Sequence, residues 1–253
     1  MQKLSNVLGI IGGTGVDQLD GLELLDSCDP DTPYGEPSRP LQRGRLGDAT
    51  IYFLQRHGHP RSIPPHRVNY RANLWALQSV GVTEVVAINA VGGISPQMRP
   101  GRLVIPDQVV DYTWGREHTV DEGEGGQLQH IDFTEPYDRD LRCSLLDVAR
   151  DEAIPHEESA VHGVTQGPRL ETAAEIRRMA RDGCDVVGMT GMPEASIARE
   201  LGLAYASICM VVNPAAGLDD SPISLDMMRE ILQREAAVVG RLLHALIRRR
   251  FAR

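Results

Sequence analysis

Six short apolar runs, rich in valine and isoleucine and bounded by glycine or proline, most constrain how this chain folds. They are "VLGII", "TIYFL", "TEVVAINAVGG", "RLVIPDQVV", "CDVVGM" and "AYASICMVV". Runs of this kind suit strands covered on both faces of a largely parallel sheet. Between them lie amphipathic stretches of helical length at Asn69 to Val80, Asp138 to Glu152, Glu171 to Asp182, Pro193 to Leu201 and Ser224 to Arg250. Strands that alternate with helices predict an α/β sandwich with the helices outside. The chain has 253 residues, enough for a full core, and shows no internal repeat or low-complexity linker, so one domain over 1–253 is expected. The least regular segments run from Asp29 to Arg45, Gly58 to Arg67, Arg116 to Pro136 and Ala215 to Pro222. In an open α/β fold such loops carry the site, at the carboxyl ends of the strands.

Lysine and arginine number 26 against 35 aspartates and glutamates, a net charge of −9 that argues against a surface built to neutralise nucleic acid. Small anions can still enter locally basic pockets. Cys28, Cys143, Cys184 and Cys209 are widely separated with no Cys-x-x-Cys, which suggests neither a disulfide framework nor a thiolate metal site. A reducing cytoplasm is the simplest setting. "VLGII" is too short for a signal core or a membrane span, so a soluble protein with no membrane partner is expected.

Several strand ends carry ligand-permissive residues. "GGTG" at Gly12–Gly15 half-matches the dinucleotide fingerprint and lacks its third glycine. Its amides and the Thr14 hydroxyl suit an anion, or the segment is simply a tight turn. A nicotinamide-dependent oxidoreductase is the competing enzyme class. "FLQRHGHPRSIPPHRVNY" gathers Arg56, His57, His59, Arg61, His66 and Arg67 directly after a strand. Arginine's forked donors match phosphate oxygens and histidine adds a donor or moves a proton, while a His57-x-His59 metal site and a solvated basic loop remain alternatives. "INAVGGI" ends a buried strand with Asn89, Ala90 and two glycines, which permits close approach by a ligand or a packing contact.

"QGPRLETAAEI" places Glu171 at the start of a helix, either as a dipole-favoured cap or as an acceptor for a ligand's ring N–H. In "VVGMTGMPEASIARELG", Pro193 and Glu194 act as helix-start signals, which leaves Met189 and Thr190 as the functional candidates. "MVVNPAAGLDDSP" follows an apolar strand with Asn213, a ligand contact or an Asx-turn.

Together with "TPYGEPS", "PPHRVNYRANLWAL" and "HIDFTEPYD", and in this order along nearly the whole chain, these stretches resemble the trimeric purine nucleoside phosphorylase family. The resemblance is strongest to its methylthionucleoside branch. It implies a single-domain, three-layer α/β fold with a twisted mixed sheet flanked by helices, assembled as a homotrimer. It also implies reversible phosphorolysis, in which a purine nucleoside and orthophosphate give free purine and a sugar 1-phosphate. No cofactor or metal is implied, and inorganic phosphate is a co-substrate.

Carried over by motif, Thr14, Arg56, His57, the backbone at Asn89 and Ala90, and Thr190 are the phosphate contacts. Met189 meets the ribose, and His130 of "HIDFTEPYD" closes the sugar pocket of a neighbouring subunit. Leu170, Glu171, Asn213 and Ala215 face the base, and Asn213 and His57 carry the catalytic roles.

Methylthioadenosine phosphorylases place aspartates after the strand that matches "ICMVV", whereas this chain reads Asn213-Pro214-Ala215. As in the family's 6-oxopurine enzymes, an asparagine amide donates to O6 and N7, and Glu171 accepts from N1–H. Leu225 of "PISLDMM" aligns with a histidine that those enzymes use for the 5′-hydroxyl, and its apolar side chain suits a methylthio group. A methylthionucleoside with a 6-oxopurine base is therefore expected, with methylthioadenosine or a broad inosine and guanosine activity as alternatives. Leu170 departs from the phenylalanine that the family commonly stacks on the base.

Overall fold

The computed structural model describes residues 7–13, 21–60, 62–123, 129–219 and 224–251. Four strands build the centre of its sheet: β1 (Val7–Gly12), β4 (Ala49–Gln55), β5 (Glu84–Gly93) and β11 (Ala204–Pro214). They run parallel, with β1 paired to β4 and β5, and β5 paired to β11 on its other edge. As their unbroken apolar runs predict, all four are largely buried.

Their side chains divide between two layers. Leu8, Ile10, Val86, Ala206, Ile208 and Met210 pack with α2 (Arg139–Asp151) and α5 (Leu225–Phe251). Ile11, Val85, Ala87 and Tyr205 pack with α1 (Tyr70–Ser79) and α4 (Gly191–Glu200). A mixed sheet between helix layers is the expected architecture. Among the described residues no helix is long and apolar enough to cross a membrane.

The sheet has more strands than its apolar runs predict. β2 (Glu23–Cys28) and β3 (Leu41–Leu46) add an antiparallel edge to β4. Leu41 to Arg45 is thus strand where an irregular segment was expected. β2 is exposed along most of its length, so it lacks the continuous apolar run that marks a buried strand. "RLVIPDQVV" divides into β6 (Leu103–Val104) and β7 (Gln108–Asp111) around Pro106, which has no N–H to donate to a ladder. β6 pairs with β8 (His156–Glu157) and β11, while β7 pairs with β9 (Val161–Val164). β9 pairs in parallel with β10 (Val186–Gly188), and α3 (Ala173–Arg181) packs Ile176 and Met179 against this arm.

Two irregularities make room for a ligand. β1 pairs with β5 only as far as Ala87, and β10 takes up the same strand antiparallel at Gly92 and Gly93. Among the described residues, those between, Ile88 to Val91, therefore keep β11 as a partner but have no strand on the other edge. On β11 the register slips between Val211 and Asn213, so Val212 forms a bulge and Asn213 is turned at the strand's end. A change of strand partners at the carboxyl ends is where open α/β sheets bind ligands.

Candidate active site

A cleft of about 230 Å³, open to solvent, lies at this point, where open α/β sheets place their ligand sites. Arg56, His57, Ala90, Thr190, Met189, Leu170, Glu171, Asn213 and Ala215 all line it, so residues from five strand ends converge. Gly13 lines it too, and a Cβ there would meet nothing within 4 Å. Thr14 and Arg61 lie outside the described residues. So does the Leu225 side chain, but Met228, one helical turn further along α5, reaches the cleft. His130 is exposed and does not line the cleft of its own chain. Of the remaining basic residues near Arg56, His59 and Arg67 are exposed.

The two glycines of "NAVGG" have distinct causes. A Cβ on Gly93 would lie 1.8 Å from the Met98 carbonyl oxygen, so packing alone requires glycine there. Gly92 borders the cleft.

Arg56 is almost wholly buried, and its guanidinium is already engaged. Nε and Nη2 donate to the two oxygens of Glu194 at 2.7 and 2.8 Å, and Nη1 donates to the Ile88 carbonyl on the open edge of β5 at 2.9 Å. Three of its five N–H groups are thus used and two remain. Burial opposes its charge, but Glu194 outweighs that and holds its pKa above the ordinary arginine value. Glu194 is therefore more than a helix-start signal. It is fully buried and also accepts from the Tyr205 hydroxyl at 2.9 Å.

His57 Nδ1 sits 2.8 Å from the Ile63 carbonyl, and a carbonyl only accepts, so Nδ1 carries the proton. Burial lowers the pKa of His57, against the effect of that hydrogen bond, so Nε2 is an acceptor at neutral pH.

Thr190 occupies the N-cap of α4 but does not cap it; its hydroxyl donates to Asn89 Oδ1 at 2.7 Å. Asn89 is buried behind the cleft and passes a hydrogen bond to Ser207 Oγ at 2.8 Å. The Cys209 thiol lies 3.5 Å from Ser207 Oγ and 3.7 Å from His162 Nδ1. His162 ends this chain fully buried, with no partner for Nε2 among the described residues.

Burial, helped by the Arg56 charge, pushes the pKa of His162 down to about 4. Above the ordinary histidine value of about 6.5 the folded and unfolded chains are both neutral here, and the group is silent. Below it only the unfolded chain takes up the proton, so stability falls until about pH 4. Between pH 7 and pH 5 the native protein is expected to lose about 2 kcal/mol more than His162→Gln. Urea denaturation at both pH values measures this, and equal losses would contradict it.

Glu171 is not the cap of α3. That helix is closed by a capping box in which Thr172 accepts from the Glu175 amide and Glu175 accepts from the Thr172 amide. Glu171 borders the cleft and accepts from Thr165 Oγ1 at 2.5 Å. Asn213 Nδ2 donates to the Pro214 carbonyl at 2.6 Å and keeps its second hydrogen.

Arg116 gave no signal in the sequence, yet it ties the cleft together. It donates to the carbonyls of Thr165, Gln166, Met189 and Met192, and to the Tyr70 hydroxyl and Gln166 Oε1. These bonds join the loops after β9 and β10. Among the described residues, no group of three His, Cys, Asp or Glu side chains comes together as a metal site.

A family profile described as the phosphorylase superfamily matches residues 7–248. A probable S-methyl-5′-thioinosine phosphorylase of Pseudomonas syringae pv. tomato is 48% identical over 243 residues, covering 94% of this chain and 99% of the relative. A 6-oxopurine nucleoside phosphorylase of Pyrococcus furiosus is 41% identical, covering 95% and 91%. The solved methylthioadenosine phosphorylase of Schistosoma mansoni in complex with adenine superposes with a TM-score of 0.90 at 33% identity. It covers 97% of this chain and 91% of that one.

Proposed function

The chain belongs to the phosphorylase superfamily, and we propose from that membership that it phosphorolyses S-methyl-5′-thioinosine to hypoxanthine and 5-methylthioribose 1-phosphate. The observation that carries this is one cleft with an anion-binding end at Arg56, His57 and Thr190 and a base-binding end at Glu171 and Asn213, with Met189 between them. The names of the relatives agree with both the oxopurine base and the methylthio sugar.

In this scheme orthophosphate takes the two spare N–H groups of Arg56, and His57 Nε2 accepts from a protonated phosphate oxygen. Thr14 and the backbone at Asn89 and Ala90 complete the phosphate contacts. Holding phosphate below C1′ converts a bimolecular encounter into an oriented attack, and its negative charge stabilises the oxocarbenium-like sugar. The C1′–N9 bond breaks and its electron pair stays with the purine, a phosphate oxygen bonds to C1′, and the departing purine anion takes a proton from solvent to become hypoxanthine. The free hydrogen of Asn213 Nδ2 meets the charge that develops at N7 and O6, and Glu171 accepts from N1–H. Met189 lies along the ribose, Leu170 and Ala215 against the base, and Leu225 with Met228 against the methylthio group. The scheme uses no resident cofactor or metal.

The assembly in this proposal is a cytoplasmic homotrimer in which His130 closes the sugar pocket of a neighbour. Its exposure away from its own cleft supports that role. Hypoxanthine release strictly dependent on added phosphate, with kcat/KM highest for methylthioinosine among methylthioinosine, methylthioadenosine and inosine, is the expected result. Release without phosphate would indicate a hydrolase, and a preference for methylthioadenosine would overturn the base assignment. Light scattering should give three subunits; an active monomer would remove the role of His130.

A further inference from the structure

We propose that Thr165, which does not border the cleft, is a positioning residue that sets base preference by holding Glu171 in place as an acceptor. This rests on the base-binding role given to Glu171 above. Thr165 follows β9, and its backbone is held on both sides. Its N–H donates to the Gly188 carbonyl at 2.8 Å, and its carbonyl accepts from Arg116 Nη2 at 3.1 Å. Its hydroxyl oxygen lies 2.5 Å from Glu171 Oε1 and 3.4 Å from the Gly188 carbonyl. A hydroxyl has one hydrogen, and the nearer, charged oxygen takes it.

This arrangement has a chemical consequence at the base. Oε1 is occupied by Thr165, so Oε2 is the oxygen left for a ligand. Donation from Thr165 fixes the carboxylate with that oxygen turned to the cleft as an acceptor. A 6-oxopurine offers N1–H at that position, a matching donor. A 6-aminopurine offers a bare N1 lone pair, which meets another acceptor there. Thr165 thus works against the 6-aminopurine as well as for the 6-oxopurine. Arg116 keeps the hydroxyl in register by fixing the carbonyl of the same residue.

Thr165→Val removes the donor and keeps the branched shape, whereas Thr165→Ser keeps the donor. In the valine variant kcat/KM for methylthioinosine is expected to fall about tenfold, while that for methylthioadenosine holds or rises. Binding of hypoxanthine, measured by calorimetry, should weaken about tenfold with adenine unchanged. The serine variant should restore both. Equal losses for both nucleosides without rescue by serine would reduce Thr165 to a packing role and overturn the proposal, as would an unchanged valine variant. If the native protein released no purine with phosphate, the functional assignment itself would fail. Unaltered binding of both bases by the valine variant would overturn the role of Thr165 alone.

Discussion

Glu194→Ala is expected to lower the unfolding free energy by about 3–5 kcal/mol and to raise the KM for phosphate at least tenfold. Glu194 is fully buried, Arg56 is 2% exposed, and the two are joined by a two-pronged pair at 2.7 and 2.8 Å. Removing the carboxylate leaves a guanidinium in the interior with only the Ile88 carbonyl, and it also strips the Tyr205 hydroxyl of its acceptor. An uncompensated buried charge is what makes breaking such a pair costly, more than the attraction lost. Released from its fork, Arg56 also no longer points its two spare donors at one place.

Urea denaturation and phosphate saturation curves on the same preparation measure both effects. Glu194→Gln fills the same volume without the charge and is expected to fall between. Replacing both partners with methionine should recover most of the stability while leaving phosphate binding lost, because two apolar side chains need no partner. A loss below about 1 kcal/mol in the alanine variant would show that water or another group already compensates Arg56.

Asn213→Asp is expected to shift the ratio of kcat/KM for methylthioinosine over methylthioadenosine about a hundredfold towards the amino base. One contact reverses for both nucleosides, the O6 of methylthioinosine losing its donor and the 6-amino group of methylthioadenosine gaining an acceptor, at about 1–3 kcal/mol each. A second cost arises from the bulge. Asn213 Nδ2 donates to the Pro214 carbonyl at 2.6 Å, and a carboxylate oxygen there would face another acceptor. The variant must turn the side chain or protonate it, so a stability loss of about 1–2 kcal/mol should accompany the switch. Competition assays with both nucleosides in one reaction read the ratio directly. No relative gain for methylthioadenosine would mean that Asn213 does not face the 6-position.

Much of the site was legible because its residues sit at strand ends with distinctive chemistry. Arg56, His57, Met189, Thr190 and Asn213 follow apolar runs and are the polar or flexible residues where those runs stop, while Glu171 stands at a helix start after Gly167-Pro168. The partners that make them work were not legible. Glu194 is the second residue of a Pro-Glu pair that starts a helix in countless sequences, and its counter-ion lies 138 residues away. Arg116 sits in an irregular loop with no pattern around it. Its six acceptors come from five residues, and four of the bonds are to backbone carbonyls, which sequence does not mark. Thr165 shows no sign of its bond to Glu171 because many side chains fit a strand end equally well.

By itself the sequence determined the alternation of buried strands and helices, and with it the layered architecture, since continuous apolar runs can be satisfied only between two covering layers. It also marked the strand ends whose residues line the cleft. Only the tertiary structure decided where β5 changes partners, which opens the edge that Arg56 and the cleft occupy. It alone assigned Arg56 to Glu194, Thr190 to Asn89 and Glu171 to Thr165. A propensity or a period acts within a few residues, whereas the partner of a buried polar group is set by which distant segments the core brings within hydrogen-bond reach.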